Sequence, residues 1–203
     1  FSDINIFISP LITSESRVIY DRHIGLISKK IAPFLAYDSD PYLVIDDKGH
    51  MVWLQDAYVL SKNYPYSEPF DGRFNYIRNS VKITIDAYSG DINYYIADQE
   101  DPIVKVFNNI LPDLFKPIGQ MPMDLKKHIR YPKSLFVVQS QIYKTYHMTN
   151  PKVFYNREDV WNIPFEQDGT TKKVREPYYM ILKLPGEETE SFISMIPYTP
   201  ANK

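Results

Sequence analysis

The sequence predicts an α+β fold, an antiparallel sheet built from β-hairpins with helices packed on it. Three observations carry that expectation. Segments 41–58 and 81–97 each read as apolar run, turn residues ending in glycine, then a second apolar run, which is the pattern of a hairpin. Stretches of helical period follow the hairpins in a block rather than alternating with single strands, so a doubly wound parallel sheet is disfavoured. Of the 203 residues 44% are hydrophobic, with 17 Tyr, 11 Phe and 2 Trp, which supplies a core and rules out wholesale disorder.

The elements follow in order. Ser14-Glu15-Ser16, then Val18, Ile19, Ile24, Leu26, Ile27 and Ile31, predict a capped amphipathic helix that Pro33 stops. Tyr42–Ile45 and Met51–Leu54 predict two strands joined by Asp46-Asp47-Lys48-Gly49, with glycine supplying the positive φ of the turn. Ser61–Arg78 has no sustained period and carries Pro65 and Pro69, so it reads as a long ordered loop, a length uncommon unless the loop binds something. Val81, Ile83 and Ile85 alternate with Lys82, Thr84 and Asp86. Ser89-Gly90 turns the chain, and Ile92, Tyr94 and Ile96 alternate in the same way, placing one face in the core.

Asp101-Pro102 opens a helix in the order cap, then proline in the first turn, with Val104, Phe107, Ile110 and Leu111 as its apolar stripe. Met123–His128 predicts a short helix and Pro132–Met148 a longer one, ended by Asn150-Pro151. Asn156–Asp159 fits a cap and first turn, and Gln167–Arg175 a basic, polar loop. Tyr178–Leu184, Pro185-Gly186-Glu187 and Glu190–Pro197 predict a third hairpin. One domain over 1–203 accounts for this order, with a helical subdivision near 100–177 set against hairpins elsewhere.

Composition narrows the function classes. The formal charge of −2 argues against a mainly electrostatic nucleic-acid binder, which needs a surplus of Lys and Arg. With no cysteine, disulfides, thiolate zinc sites and cysteine catalysis are excluded within this sequence. The start at Phe1 and the end at Lys203 read as the edges of a piece of something longer, and no signal peptide is visible. The longest stretch without formal charge, Ser191–Asn202, holds 12 residues and two prolines, short of the roughly 20 apolar residues that span a bilayer.

No catalytic constellation stands out. The four histidines, His23, His50, His128 and His147, show no metal-ligand spacing, and a helix C-terminus accounts for the placing of the last two. Asp38/Asp40 resembles the opening of a calcium loop but lacks its later Gly and Glu. There is no glycine-rich phosphate loop and no Gly-x-Ser-x-Gly elbow. No metal, cofactor or catalytic residue is therefore expected. A cluster of aromatic and polar residues offers a ligand groove instead: Trp53, Asp56, Tyr58, Tyr64, Tyr66, Asn75, Tyr76, Arg78 and Asn79. Flat rings beside an Arg and amides suit a sugar, a peptide or an aromatic ligand. The competing explanation is that the tyrosines pin the long loop onto the sheet.

Several blocks occur in a recognisable order: Asp40-Pro41-Tyr42, Gln55-Asp56-Ala57-Tyr58, Tyr64-Pro65-Tyr66-Ser67, the run from Asn75 to Lys82, His128-Ile129-Arg130-Tyr131-Pro132, Tyr146-His147-Met148 and the run from Phe154 to Asp159. In these the chain resembles the soluble region of uncharacterised protein family 0182, a group of large bacterial polytopic membrane proteins, from about Ile24 to Pro200. The resemblance implies location more than activity: a domain on the extracytoplasmic side of a multi-pass protein of the cell membrane. It assigns no catalytic or ligand residues.

The leading expectation is a non-catalytic, extracytoplasmic binding or interaction domain. Its partners would be the remainder of its own membrane protein and a cell-envelope ligand, with no nucleic acid. An enzyme acting on an envelope glycan or peptide through carboxylates or His128 and His147 is the alternative. A structural spacer packed on the rest of its own chain is the third.

Overall fold

The computed structural model describes residues 4, 8–16, 22–169 and 171–201. Helix α1 spans Ile24–Ile31. Strands β1 (Ala36–Tyr37), β2 (Tyr42–Ile45), β3 (Met51–Ser61), β4 (Tyr76–Asp86) and β5 (Ile92–Ile96) follow, then α2 (Pro102–Ile110) and β6 (Phe115–Pro117). The helical block is α3 (Met123–Lys127), α4 (Lys133–Tyr146) and α5 (Pro151–Asn156). Six short strands close the chain: β7 (Trp161–Asn162), β8 (Phe165–Asp168), β9 (Thr171–Val174), β10 (Tyr178–Leu182), β11 (Ser191–Met195) and β12 (Thr199–Pro200).

The fold is α+β. Its main sheet runs β1-β3-β4-β5-β6, with β2 also paired to β3. Both β1 and β2 run antiparallel to β3, Ala36 opposite Tyr58 and Tyr42 opposite Leu54, so they lie in tandem along one edge. Three predicted hairpins are present, β2–β3, β4–β5 and β10–β11. Gly49 (φ 84°) and Gly90 (φ 76°) take the left-handed conformation their turns need. Among the described residues the one parallel pair is β5–β6, made possible because α2 is the crossover between them.

Alternation on β3 and β4 divides the core between the two faces of the sheet. On one face Ala57, Val59, Val81, Ile83, Ile85 and Tyr94 pack with Ala32, Leu35, Val104 and Phe115 beneath α1 and α2. On the other, Val44, Val52, Leu54 and Tyr95 pack with Met121 and Leu125. The β3–β4 register shifts between Ala57 and Val59, which face Val81 and Arg78, so β4 carries an extra residue there.

Four expectations are corrected. The helix predicted from Ser14 begins at Ile24, not near Ser16: residues 14–16 are not helical, and 17–21 lie outside the described residues. The long loop shrinks to 62–75, because β3 runs to Ser61 and β4 already starts at Tyr76. The bulge interrupts the period-two pattern there and so hides the start of the strand. Asn156–Asp159 ends a helix rather than starting one. Asn150 caps α5 through its side chain, which accepts from Lys152 N and Val153 N, and Arg157 closes it at φ 53°. Residues 167–175 are mostly the hairpin β8–β9, whose strands carry charge in place of apolar alternation and so read as loop.

Candidate functional site

The nine residues of the predicted groove occupy three places. Trp53 and Tyr76 pack into the core on the α1/α2 face. Arg78 pairs with Asp98 at 3.0 Å. Asp56, Tyr58 and Asn79 belong to the opposite face, and Tyr64, Tyr66 and Asn75 to the loop. The loop is built around Asn75, whose Nδ2 donates to Tyr64 O (2.8 Å) and Ser67 O (3.1 Å) while its Oδ1 accepts from Tyr64 N (3.0 Å). Tyr64 stacks on Tyr76 with centroids 5.5 Å apart. Tyr66 is wholly exposed at φ 58°. These residues do not meet in one groove; Tyr64, Asn75 and Tyr76 tie the loop to the sheet.

On the opposite face a buried polar network links the sheet to α4. Asp38 accepts from the Tyr58 hydroxyl, from Ser134 N (2.9 Å) and from Asp40 N (3.0 Å). Pro132, at the head of α4, offers no side-chain cap, so a carboxylate from the sheet edge satisfies a first-turn N–H of that helix. Beside it Asp56 pairs with Lys82, both side chains nearly buried. Burial pushes the Asp56 carboxyl up, against the attraction of Lys82. Burial likewise pushes the Tyr58 hydroxyl well above its ordinary range, reinforced by its bond to Asp38.

Tyr58 also reaches the floor of a cleft of about 890 Å³, within the usual range of small-molecule sites. Its walls include Ala36, Tyr37 and Ser39, the ends of β3 and β4, helix α4, the turn 70–74, and residues 172–177 that lead from β9 toward β10. Leu60, Ile77, Val137, Val138 and Ile163 make its lining apolar. The turn is a tight one. Asp71 (φ 51°) and Gly72 (φ 64°) are both left-handed, Phe70 N donates to Phe74 O at 2.7 Å, and the two Phe rings stack.

Charge at this cleft departs from the rest of the chain. Arg73, Lys133, Lys172, Lys173 and Arg175 line it against a single carboxylate, Glu176. Glu176 bridges Lys133 (2.7 Å) and Lys173 (3.1 Å). Hydrogen bonding from Lys133 and then Lys173 holds its carboxyl down at about 2. Arg73 pairs with Asp71 and Arg175 with Glu166 at the periphery.

Of the nine sequence candidates only Tyr58 lines the cleft. The missed residues had two signals. Asp71-Gly72 is a hairpin dipeptide, and Lys172-Lys173 with Arg175 is a basic run whose partner surface is set only by the fold.

The histidines do not converge. His128 caps the end of α3 and His147 the far end of α4, a 14-residue helix about 20 Å long. His147 stacks on Trp161 at 3.6 Å, and its Nε2 is buried without a hydrogen-bond partner, 3.8 Å from the Asp159 carboxylate. Among the described residues no three His, Asp or Glu side chains gather in a way that could hold a metal ion. Among them, too, no helix is long and apolar enough to cross a membrane.

The chain is 52% identical over 204 residues to a "UPF0182 protein" of Desulforamulus reducens, which matches all of this chain and 22% of that relative. It is 53% identical over 198 residues to one from Alkaliphilus metalliredigens, covering 97% of this chain and 21% of the relative. A third, from Methanospirillum hungatei, is 50% identical over 206 residues and 23% covered. The chain thus spans about a fifth of the length of these relatives. No solved structure matches it. The match to the Uncharacterised protein family (UPF0182) runs over residues 1–203, and the chain belongs to that family.

Proposed function

We propose that this chain is a non-catalytic binding module carried on the extracytoplasmic side of a longer membrane protein. The cleft of about 890 Å³ is the observation that carries the binding reading. It is walled by segments far apart in sequence and lined by apolar side chains with a charged rim, the usual build of a ligand site. Against a catalytic role stand the buried carboxylates, each engaged by donors. Asp38 receives Tyr58 and Ser134 N, Asp56 receives Lys82, and Asp101 caps α2. His128 and His147 sit at opposite ends of α4. The membrane context is supported by the greater length of the relatives and by the resemblance in the sequence.

A thermal-shift panel of glycans, peptides, nucleotides, amphiphiles and divalent metals with a chelator control tests the binding reading. A ligand at a hundred times its Kd adds about 2.7 kcal/mol, which for a domain of this size is roughly 5–10 °C. One class should shift the midpoint, and Ile77→Trp, which fills the cleft, should remove the shift. A flat panel, or a shift that survives Ile77→Trp, would sink it. Topology is tested separately by Ser89→Cys in an exposed turn, labelled in intact cells by a membrane-impermeant maleimide. Labelling only after permeabilisation would overturn the extracytoplasmic placement.

A further inference from the structure

We infer that the cleft binds a single-chain anionic amphiphile, whose head takes the place of the Glu176 carboxylate between Lys133 and Lys173. The inference rests on the binding reading above and names the ligand class.

Charge argues for the anion. A chain of net charge −2 gathers five cationic side chains around one cleft, with one carboxylate among them. Counting Asp71 and Glu166, which pair with Arg73 and Arg175, the cluster still carries two surplus positive charges. Glu176 marks where the anion sits. Its carboxylate is held at 2.7 Å by Lys133 on α4 and at 3.1 Å by Lys173 on β9, two ammonium groups from separate elements converging on one pair of oxygens. That arrangement is a working anion site with a tethered occupant, and a free phosphate or carboxylate competes for the same donors.

The floor argues for the chain. Below the lysines the lining turns apolar, through Val137 and Ile77 down to Val138 and Ile163, which are 8% and 6% exposed. A small inorganic anion would leave that surface wet, whereas each methylene buried there strengthens binding about fourfold. The ring of Tyr58 completes the floor, and its hydroxyl is committed to Asp38.

Calorimetric titration of the chain with decyl phosphate, below its micelle concentration, tests this against four comparators: inorganic phosphate, decyl maltoside, decyltrimethylammonium and an acidic peptide. The expected result is binding of decyl phosphate, with inorganic phosphate and the cationic amphiphile each weaker by about tenfold or more. Lys133→Gln with Lys173→Gln should weaken decyl phosphate by about tenfold, and Glu176→Gln should tighten it severalfold. Ile77→Trp should abolish binding; Val137→Trp serves if the first variant has lost its cooperative melt. Equal binding of the neutral or cationic amphiphile, or preference for the peptide, overturns the anionic amphiphile but leaves a binding module, provided Ile77→Trp still blocks it. Equal binding of inorganic phosphate overturns the role of the apolar floor. Binding of none of the five overturns this inference, and a flat response across the wider panel overturns the binding reading with it.

Discussion

The guanidinium of Arg130 lies 3.9 Å from the centroid of the Tyr42 ring and 4.8 Å from that of Tyr179. It also donates to Asp40 Oδ2 at 2.6 Å, and its backbone N–H donates to the Tyr42 hydroxyl at 3.3 Å. One planar cation thereby joins β2 at the edge of the main sheet to the β10–β11 hairpin. Burial, with the nearby Asp56 charge adding to it, pushes Tyr42 up to about 12.

Arg130→Lys therefore tests geometry rather than charge. Lysine keeps the cation but loses the planar guanidinium that meets both rings and Asp40 at once, so a loss of about 1–2 kcal/mol is expected in urea unfolding. Hydrogen exchange should localise the loosening to residues 178–195 while β3 and β4 keep their protection. An Arg130→Lys protein as stable as the parent would show that the guanidinium's contacts with the two rings contribute nothing.

Asp56 and Lys82 make a different kind of pair. Both are nearly buried, and desolvation of Asp56 outweighs the pull of Lys82, so its carboxyl titrates above the usual 3.8. A raised folded-state value means that Asp56 favours the fold most below the unfolded value, and that this contribution fades as pH rises through the raised one. Lys82→Met removes the compensating charge and should cost about 3–5 kcal/mol at neutral pH. The loss should shrink in acid, where Asp56 is neutral. Asp56→Asn with Lys82→Met should recover most of the stability. A pH-independent loss in Lys82→Met would refute the buried-charge account.

What the sequence made legible was local. Asp101-Pro102 announces α2 because cap and proline act within one turn, and Val81, Ile83 and Ile85 announce a strand because side chains alternate. The same logic holds at Asn150-Pro151, where cap and proline open α5. The extended start of β4 at Tyr76 was hidden by the bulge opposite Ala57–Val59, which breaks the alternation. The cleft was beyond local reading for a physical reason: Lys133 and Glu176 are 43 residues apart, and Asp38 reaches Ser134 across 96. The tyrosine cluster drew notice as a surface, yet Asn75 and the Tyr64–Tyr76 stack spend it on holding the loop.

Glu176 gives the cleft a pH signature. Its folded-state carboxyl is lowered from 4.5 to about 2, first by the hydrogen bond from Lys133 and then by that from Lys173. A depressed value contributes stability above the unfolded pKa, and that contribution is lost as pH falls through the folded one. The melting midpoint of the parent should therefore exceed that of Glu176→Gln at pH 6, and the two should converge as pH falls from about 4.5 toward 2. The gap should be small, since the group is exposed and solvent screens it. A gap that persists at pH 2 would show that the side chain acts through packing, not charge.

Asp101 is the polar keystone of the α1/α2 face. It is fully buried and accepts from Ile103 N at 2.9 Å, from the Tyr76 hydroxyl at 3.0 Å and from Ser80 Oγ. One carboxylate thus starts α2, anchors the first residue of β4 and satisfies a serine beside the bulge. Asp101→Ala leaves all three donors unpaired in the interior and should cost about 3–5 kcal/mol. Asp101→Asn keeps an acceptor and should cost about 1–2 kcal/mol. Burial, followed by the bond to Asp101, pushes Tyr76 up to about 12 from its ordinary 10. In Asp101→Asn that second cause loses its charge, so one tyrosine should titrate closer to 10, visible in the ultraviolet difference between parent and variant. Because Tyr64 rests on Tyr76, limited proteolysis should also cut the 62–75 loop faster in the variant. An unchanged tyrosine titration together with an unchanged cleavage rate would mean that Asp101 serves only as the cap of α2.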